Sequence, residues 1–194
     1  MTVISSDKTK SAMPPLTDAR RREVRNFLEK VVINAGIGRL SQQQNFKDKI
    51  LPQIKADLAL LAGQMPHETK LRKSIAGFRA RQGQVVGLRV TLRGRKMVDF
   101  FERLIRIVVP RVRDFSGIPI RAIDEGGSLH LGFREQFAFP EINPEKSSFV
   151  FSLGVNIVPR IKEREKVIEG YRALGIPLKM QDRAASSAVK RKRA

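Results

Sequence analysis

A chain of 194 residues, 41% of them apolar, can bury the core of one domain and is too apolar for wholesale disorder. Its 38 Lys and Arg against 19 Asp and Glu leave a net charge of +19, which suits a polyanion: nucleic acid first, an anionic membrane surface second. There is no Cys, so disulfides, thiolate metal sites and cysteine nucleophiles are excluded, and no apolar run approaches the roughly 20 residues of a membrane span.

Residues 1–20, with Ser, Lys, Thr and Pro14-Pro15, read as a mobile lead-in lacking the apolar stretch of a signal peptide. Thr17 or Asp18 caps a short helix through "ARRREVRNFLEK", and the β-branched "KVVINAG" predicts a strand stopped by Gly36. Phe46, Ile50, Ile54, Leu58 and Leu61 recur at helical spacing; Pro52 kinks or restarts that helix and Gly63 ends it. Residues 64–71 suggest a strand, and residues 73–84, with Gly77 and Gly83, a long loop. In "VVGLRVTLR", Val86, Leu88, Val90 and Leu92 alternate with Gly87, Arg89, Thr91 and Arg93, so one face is apolar and the other basic and polar. Met97, Phe100, Phe101, Leu104, Ile105 and Val108 predict a helix ended by Pro110. "RVRDFSGIPIRAIDEGGS" reads as an extended loop, "LHLGF" and "SFVFSLGVNIV" as strands, and "KEREKVIEGYRALG" as a last helix ending at Gly175. The pattern predicts an α+β two-layer sandwich, a mostly antiparallel sheet with helices on one face and the other face open. One domain over 21–180 is followed by a basic tail over 181–194.

Enzymatic signatures are weak. His67 and His130 fall on separate elements and read as surface or locally satisfied side chains, so no metal and no cofactor is expected. "NAGIG" (Asn34 to Gly38) mimics the start of a dinucleotide loop but lacks the third glycine, and reads as a turn requiring positive φ. A phosphate-handling enzyme built on that turn is the runner-up from another class. Glu135, Glu141 and Glu145 read as solvated surface rather than paired catalytic acids.

The basic residues carry more. Thr69 to Val98 holds Lys70, Arg72, Lys73, Arg79, Arg81, Arg89, Arg93, Arg95 and Lys96 without one Asp or Glu. Arg89 and Arg93 flank Thr91 at about 7 Å per two-residue step, which suits guanidinium contacts to phosphate; Thr91 is placed to bond a phosphate or a 2′-hydroxyl. Ahead of that strand, the loop carries five cations with nothing acidic to hold it down. Gly77 lets its tip turn, and Phe78 either stacks on a nucleotide or anchors the loop. Charge alone would equally satisfy a non-specific nucleic-acid-binding protein.

Over "VVINAGIG … LLAGQMP … TKLRKSIAGFRARQGQVVGLRVTLRGRKMVDFFERLIRIVVPRVRDFSG … LGFREQFAFPEI", the chain closely resembles the bacterial-type ribosomal protein five family of the large subunit. The resemblance runs from about Lys30 to Leu178. It implies a non-catalytic α+β protein of the central protuberance, ribosome-bound in the cytoplasm, with an organellar ribosome left open. It implies that an open sheet face holds 5S rRNA through Asn34, Gln64 and Thr91, with Arg93 beside them and Arg89 on the same strand face. It further implies that a loop bearing Lys70, Arg72, Lys73, Ser74, Phe78, Arg79 and Arg81 reaches the P-site tRNA. Arg111, Arg113, Asp114 and Phe115 fall where the family meets a small-subunit head protein across the ribosome. Large-subunit rRNA and the other 5S rRNA-binding ribosomal proteins are implied partners; a membrane is not. Two stretches depart from the family pattern: "IDEGGSL" (Ile123 to Leu129) replaces a reading close to "F-D-G-R-G-N-Y", and "DARRREVRNFLEK" replaces the usual helix and "V-P-K" approach to the first strand.

Overall fold

Residues 17–78, 80–112, 115–145 and 147–179 are described by a computed structural model. Its strands are β1 (Leu28–Gly36), β2 (His67–Lys70), β3 (Val85–Leu92), β4 (Leu129–Phe133) and β5 (Ser152–Pro159). They form one sheet in the spatial order β2-β3-β1-β5-β4, every pair antiparallel. The period of two in the sequence sets its sidedness. Val31, Ile33 and Ala35 of β1, Leu88, Val90 and Leu92 of β3, and Leu153, Val155 and Ile157 of β5 are all buried on one face. Against them pack α1 (Asp18–Phe27), α2 (Leu51–Ala62) and α3 (Gly94–Arg103) through Val24, Ile54, Leu58, Leu61, Met97, Phe100 and Phe101. Burying each such Leu, Ile or Phe stabilises the fold by about 1.5–3 kcal/mol, which makes this interface the source of the architecture. The α+β sandwich with one open face therefore stands as expected.

Two prolines shape the helical layer by one device. Proline has no N–H and its ring collides with the carbonyl four residues back. Ahead of Pro52, residues Phe46–Ile50 widen into a π turn closed by the Leu51 N–H on the Phe46 carbonyl. Ahead of Pro110, Leu104–Val108 does the same, closed by Val109 N–H on Leu104. Pro110 thus does not end the helix as the sequence suggested: α4 (Val109–Arg111) carries it one more turn. The wider turn also rotates Val109 into the core and leaves Ile105 only half-buried.

Other boundaries move for equally local reasons. The first helix stops at Phe27, and the chain passes into β1 without a loop, Leu28 being already extended and the buried positions Val31, Ile33 and Ala35 alternating along the strand. The expected strand at 64–71 shrinks to β2, and only Ser152 to Pro159 of the last apolar run is paired. The loop after α4 holds a short helical turn at Ile120–Ala122 and is fastened by a parallel bridge of Ile118 to Leu178. The last helix, α5 (Arg164–Ala173), presses Tyr171 between β5 and the 124–128 turn. Its hydroxyl donates toward the carbonyls of Gly127 (3.0 Å) and Ile157 (3.2 Å). The Phe27 ring meets Tyr171 edge-on at 5.4 Å.

Candidate nucleic-acid interface

Sheet register decides which side chains share the uncovered face. Asn34 sits between Arg89 of β3 and Gly154 of β5. One rung along, Val32 lies between Thr91 and Asn156. The edge strands complete both rows, with His67 opposite Arg89 and His130 opposite Asn156. Directly opposed residues lie about 5 Å apart and diagonal ones about 7–8 Å, so Asn34, Arg89 and Thr91 form one contiguous polar patch. Among the described residues, the side chains of all three take no hydrogen bond or ion pair. Polar groups left open on a sheet are available to a ligand rather than to the fold.

The remaining residues of the expected 5S cluster lie at the end of this face. Arg93 is exposed just past β3 in extended conformation, φ −139 and ψ 163. Gln64 is exposed beyond the left-handed Gly63 that closes α2. Lys96 Nζ donates to the Gly63 carbonyl at 2.8 Å, holding the Gln64 loop beside the start of α3. Asn34, Arg89 and Thr91 are thus brought together, with Gln64 and Arg93 at the margin.

The arm leaves from the opposite end of the face and is more ordered than a loop reading allows. Leu71 and Gln84 close its base, with Leu71 N–H on Gln84 O at 2.9 Å. Ile75 and Ala80 pair as an isolated antiparallel bridge across its tip. Gln84 binds Ser41 Oγ at 2.8 Å, which fixes the root to the segment after β1. Ser74 Oγ accepts the Gln82 N–H at 2.9 Å, so that hydroxyl faces inward. Arg72, Lys73 and Arg81 are exposed. Gly77 sits in a tight helical turn at the tip, Ala76–Phe78, while the positive φ of the arm falls at Gly83 in its base. One reading needs correction. Lys70 is not without an acid: Glu68 Oε2 stands 3.8 Å away, and Glu68 also pairs with Lys55 at 2.5 Å. The Lys55 hydrogen bond holds the Glu68 carboxyl below its ordinary range. Arg79 and the Phe78 side chain lie outside the described residues.

"NAGIG" is corrected too. Neither Gly36 nor Gly38 has a positive φ. Gly36 belongs to β1, paired with Gly87 and Ser152, and Ile37 N–H continues the ladder to Val86 O at 3.0 Å. Strand pairing therefore fills the space where a phosphate loop would open. Glu141 is ion-paired with Arg103 of α3.

The far edge of the open face holds a cluster that sequence reading passed over. His130 Nδ1 lies 3.0 Å from Asn156 Oδ1, and Nε2 lies 3.1 Å from Asp124 Oδ2. Two acceptors, the Asn156 amide first, favour the doubly protonated ring and raise the His130 pKa. Burial pushes the Asp124 carboxyl up, but His130 and the Ser128 N–H at 2.6 Å outweigh it and leave the value lowered. The signal for Asn156 was legible: Ser152, Gly154 and Asn156 alternate with Leu153, Val155 and Ile157.

Arg111 and Phe115 belong elsewhere. The helical run from Gly94 to Arg111 spans about 26 Å at 1.5 Å per residue, and Arg111 ends it, exposed beside Phe137, Phe139 and Pro140. Phe115 is exposed nearby in sequence, while Arg113 and Asp114 lie outside the described residues. Among the described residues no helix is long and apolar enough to cross a membrane, and no group of His, Asp and Glu could hold a metal.

Comparison with known proteins identifies the family. The family model described as "Ribosomal protein L5" matches residues 24–81, and a second model, for the C-terminus of the same ribosomal family, matches residues 85–178. The large ribosomal subunit protein uL5 of Oenococcus oeni is 43% identical over 150 residues, 77% of this chain and 81% of the relative. Its namesake in Syntrophomonas wolfei is 41% identical over 152 residues, 78% of this chain and 83% of the relative. That of Wigglesworthia glossinidia brevipalpis is 40% identical over 152 residues, again 78% and 83%. The chain belongs to the ribosomal protein L5 family, non-enzymatic structural proteins of the large ribosomal subunit that bind ribosomal RNA.

Proposed function

We propose that the open sheet face binds 5S rRNA, that the 70–84 arm reaches P-site tRNA, and that the segment around Arg111 and Phe115 helps form a bridge to the small-subunit head. The observation that carries the reading is the contiguous, unpartnered patch of Asn34, Arg89 and Thr91 on an uncovered sheet. A guanidinium supplies a fork of donors for phosphate, and the amide and hydroxyl beside it both donate and accept, as a ribose 2′-hydroxyl requires. The arm supports the second part because its cations Arg72, Lys73 and Arg81 point to solvent from a root fixed by Gln84 and Ser41.

Gel-shift titration tests the first part directly. The protein binds 5S rRNA in preference to random duplex DNA, and Thr91→Ala weakens that binding by roughly 2- to 12-fold, the loss of one hydrogen bond of about 0.5–1.5 kcal/mol. Equal affinity for the two nucleic acids would identify a non-specific binder instead, and an unchanged Thr91→Ala complex would remove the sheet face from the interface.

A further inference from the structure

A second basic surface lies around the corner from the sheet, between α1 and α3. Arg22 and Arg25 sit on the exposed side of α1, three residues apart, and so neighbour each other about 5–6 Å apart on the helix surface. They share a shallow groove with Arg21, Arg95, Asp18 and Asp99. Of the two acids there, Asp99 is already engaged, by Arg21 at 3.7 Å and Arg95 at 3.9 Å, with Arg21 also reaching Glu102 at 3.7 Å; Asp18 has no ion-pair partner among the described residues and offsets one of the remaining cations. Among the described residues neither Arg22 nor Arg25 has an ion-pair partner. The surface is also continuous with the open face. Arg93 stands exposed at the end of β3, Gly94 at φ +61 turns the chain, and the Arg95 side chain, 88% exposed, leads to α1.

From this arrangement we propose that the α1–α3 corner is a second RNA-backbone site, gripping phosphates of an RNA strand that continues past the sheet face. The inference rests on the RNA-binding reading of that face but concerns different residues. Arg22 precedes residue 24, the first residue matched by the family models, and Arg25 lies just inside that match. Four guanidinium groups around two acids leave the groove cationic. They present no pattern of alternating donors and acceptors that would read a base edge, so the contact is to backbone and independent of sequence.

The double variant Arg22→Gln, Arg25→Gln tests it, with 5S rRNA and an unrelated RNA duplex of about 20 base pairs as probes. Each lost phosphate contact removes about 0.7–0.9 from the slope of log affinity against log salt, so the slope on both RNAs becomes shallower by about 1.5. Arg22→Lys with Arg25→Lys retains the slope, because a point charge replaces a point charge, and thermal melting of both variants matches the parent. An unchanged slope on both RNAs overturns the proposal. So does an unchanged slope accompanied by lost sedimentation with phosphatidylglycerol vesicles, which would assign the corner to a membrane surface. Failure of the parent to prefer 5S rRNA would sink the sheet-face reading, yet the slope on the unrelated duplex would still decide this one.

Discussion

Two polar side chains show how differently the fold treats the same chemistry. Gln136 is fully buried, and every one of its contacts is internal: its amide N–H donates to Phe149 O at 2.7 Å and its carbonyl accepts Phe151 N–H at 3.0 Å. It pins the loop ahead of β5 and has no capacity left for a ligand. His130 lies on the open face, held between Asn156 and Asp124. Its raised pKa carries a sign. Below the ordinary value of 6.5 the ring is charged whether folded or not, and the full stabilisation is present. As pH rises through the raised folded value the proton leaves and the stabilisation goes with it. The lowered Asp124 acts the other way, and its contribution is lost only as pH falls below the ordinary carboxylate value of 3.8. Between pH 5.5 and 8.5 the His130 term therefore favours the acid side. It is modest, under about 1 kcal/mol, because the pair is half exposed. Urea midpoints at the two pH values should fall further on alkalinisation in the parent than in His130→Asn, a comparison that cancels every other titrating group. Identical falls would show that the ring contributes nothing to folding.

At the scale of elements, α5 docks by a glycine. A methyl at Gly170 would stand 2.2 Å from Phe27 Cε2 and 2.5 Å from Cζ, inside the ring that meets Tyr171 edge-on. Helix propensity favours alanine by about 1 kcal/mol, but overpacking costs about 1–3 kcal/mol. Gly170→Ala should therefore lose about 1 kcal/mol in chemical denaturation. With Phe27→Leu in the background the same change should become neutral or stabilising, and additivity between the two would refute the clash. That contact joins residues 143 positions apart and has no trace in local sequence, unlike the features that were legible. The alternation in "VVGLRVTLR" placed Arg89 and Thr91 on the open side because a half-buried strand has only two faces. The spacing from Phe46 to Leu61 found its buried stripe for the same kind of reason. Legibility was partial where pairing partners decide: a strand was expected over residues 64–71, and pairing with β3 confines it to His67–Lys70. Gly36 looked like a turn but continues a ladder. Pro110 looked like a stop, yet a π turn absorbs its missing donor. Asn156 was passed over inside an apolar run, although its neighbours alternate as clearly as those of Thr91.

Across the whole molecule, charge works against the fold and for the complex. A net +19 on 194 residues means that cations repel one another wherever RNA is absent. The internal ion pairs oppose this only weakly: Arg21 with Asp99 and Lys55 with Glu68 are partly solvated, where each contributes about 0–1 kcal/mol. Salt screens both effects, since the Debye length falls from about 10 Å at 0.1 M to about 3 Å at 1 M. The repulsion is summed over an excess of 19 cations and acts at longer range than paired contacts, so screening it should dominate. The melting temperature of the RNA-free protein is accordingly expected to rise between 50 and about 500 mM NaCl, while affinity for RNA falls steeply over the same range. The two trends have one origin and opposite signs. Melting the 5S rRNA complex alongside the free protein separates them: RNA should raise the melting temperature most at low salt, and the two curves should converge as salt increases. A free protein whose melting temperature stays flat or falls with salt would mean that its ion pairs, not its excess charge, set the electrostatics of the fold.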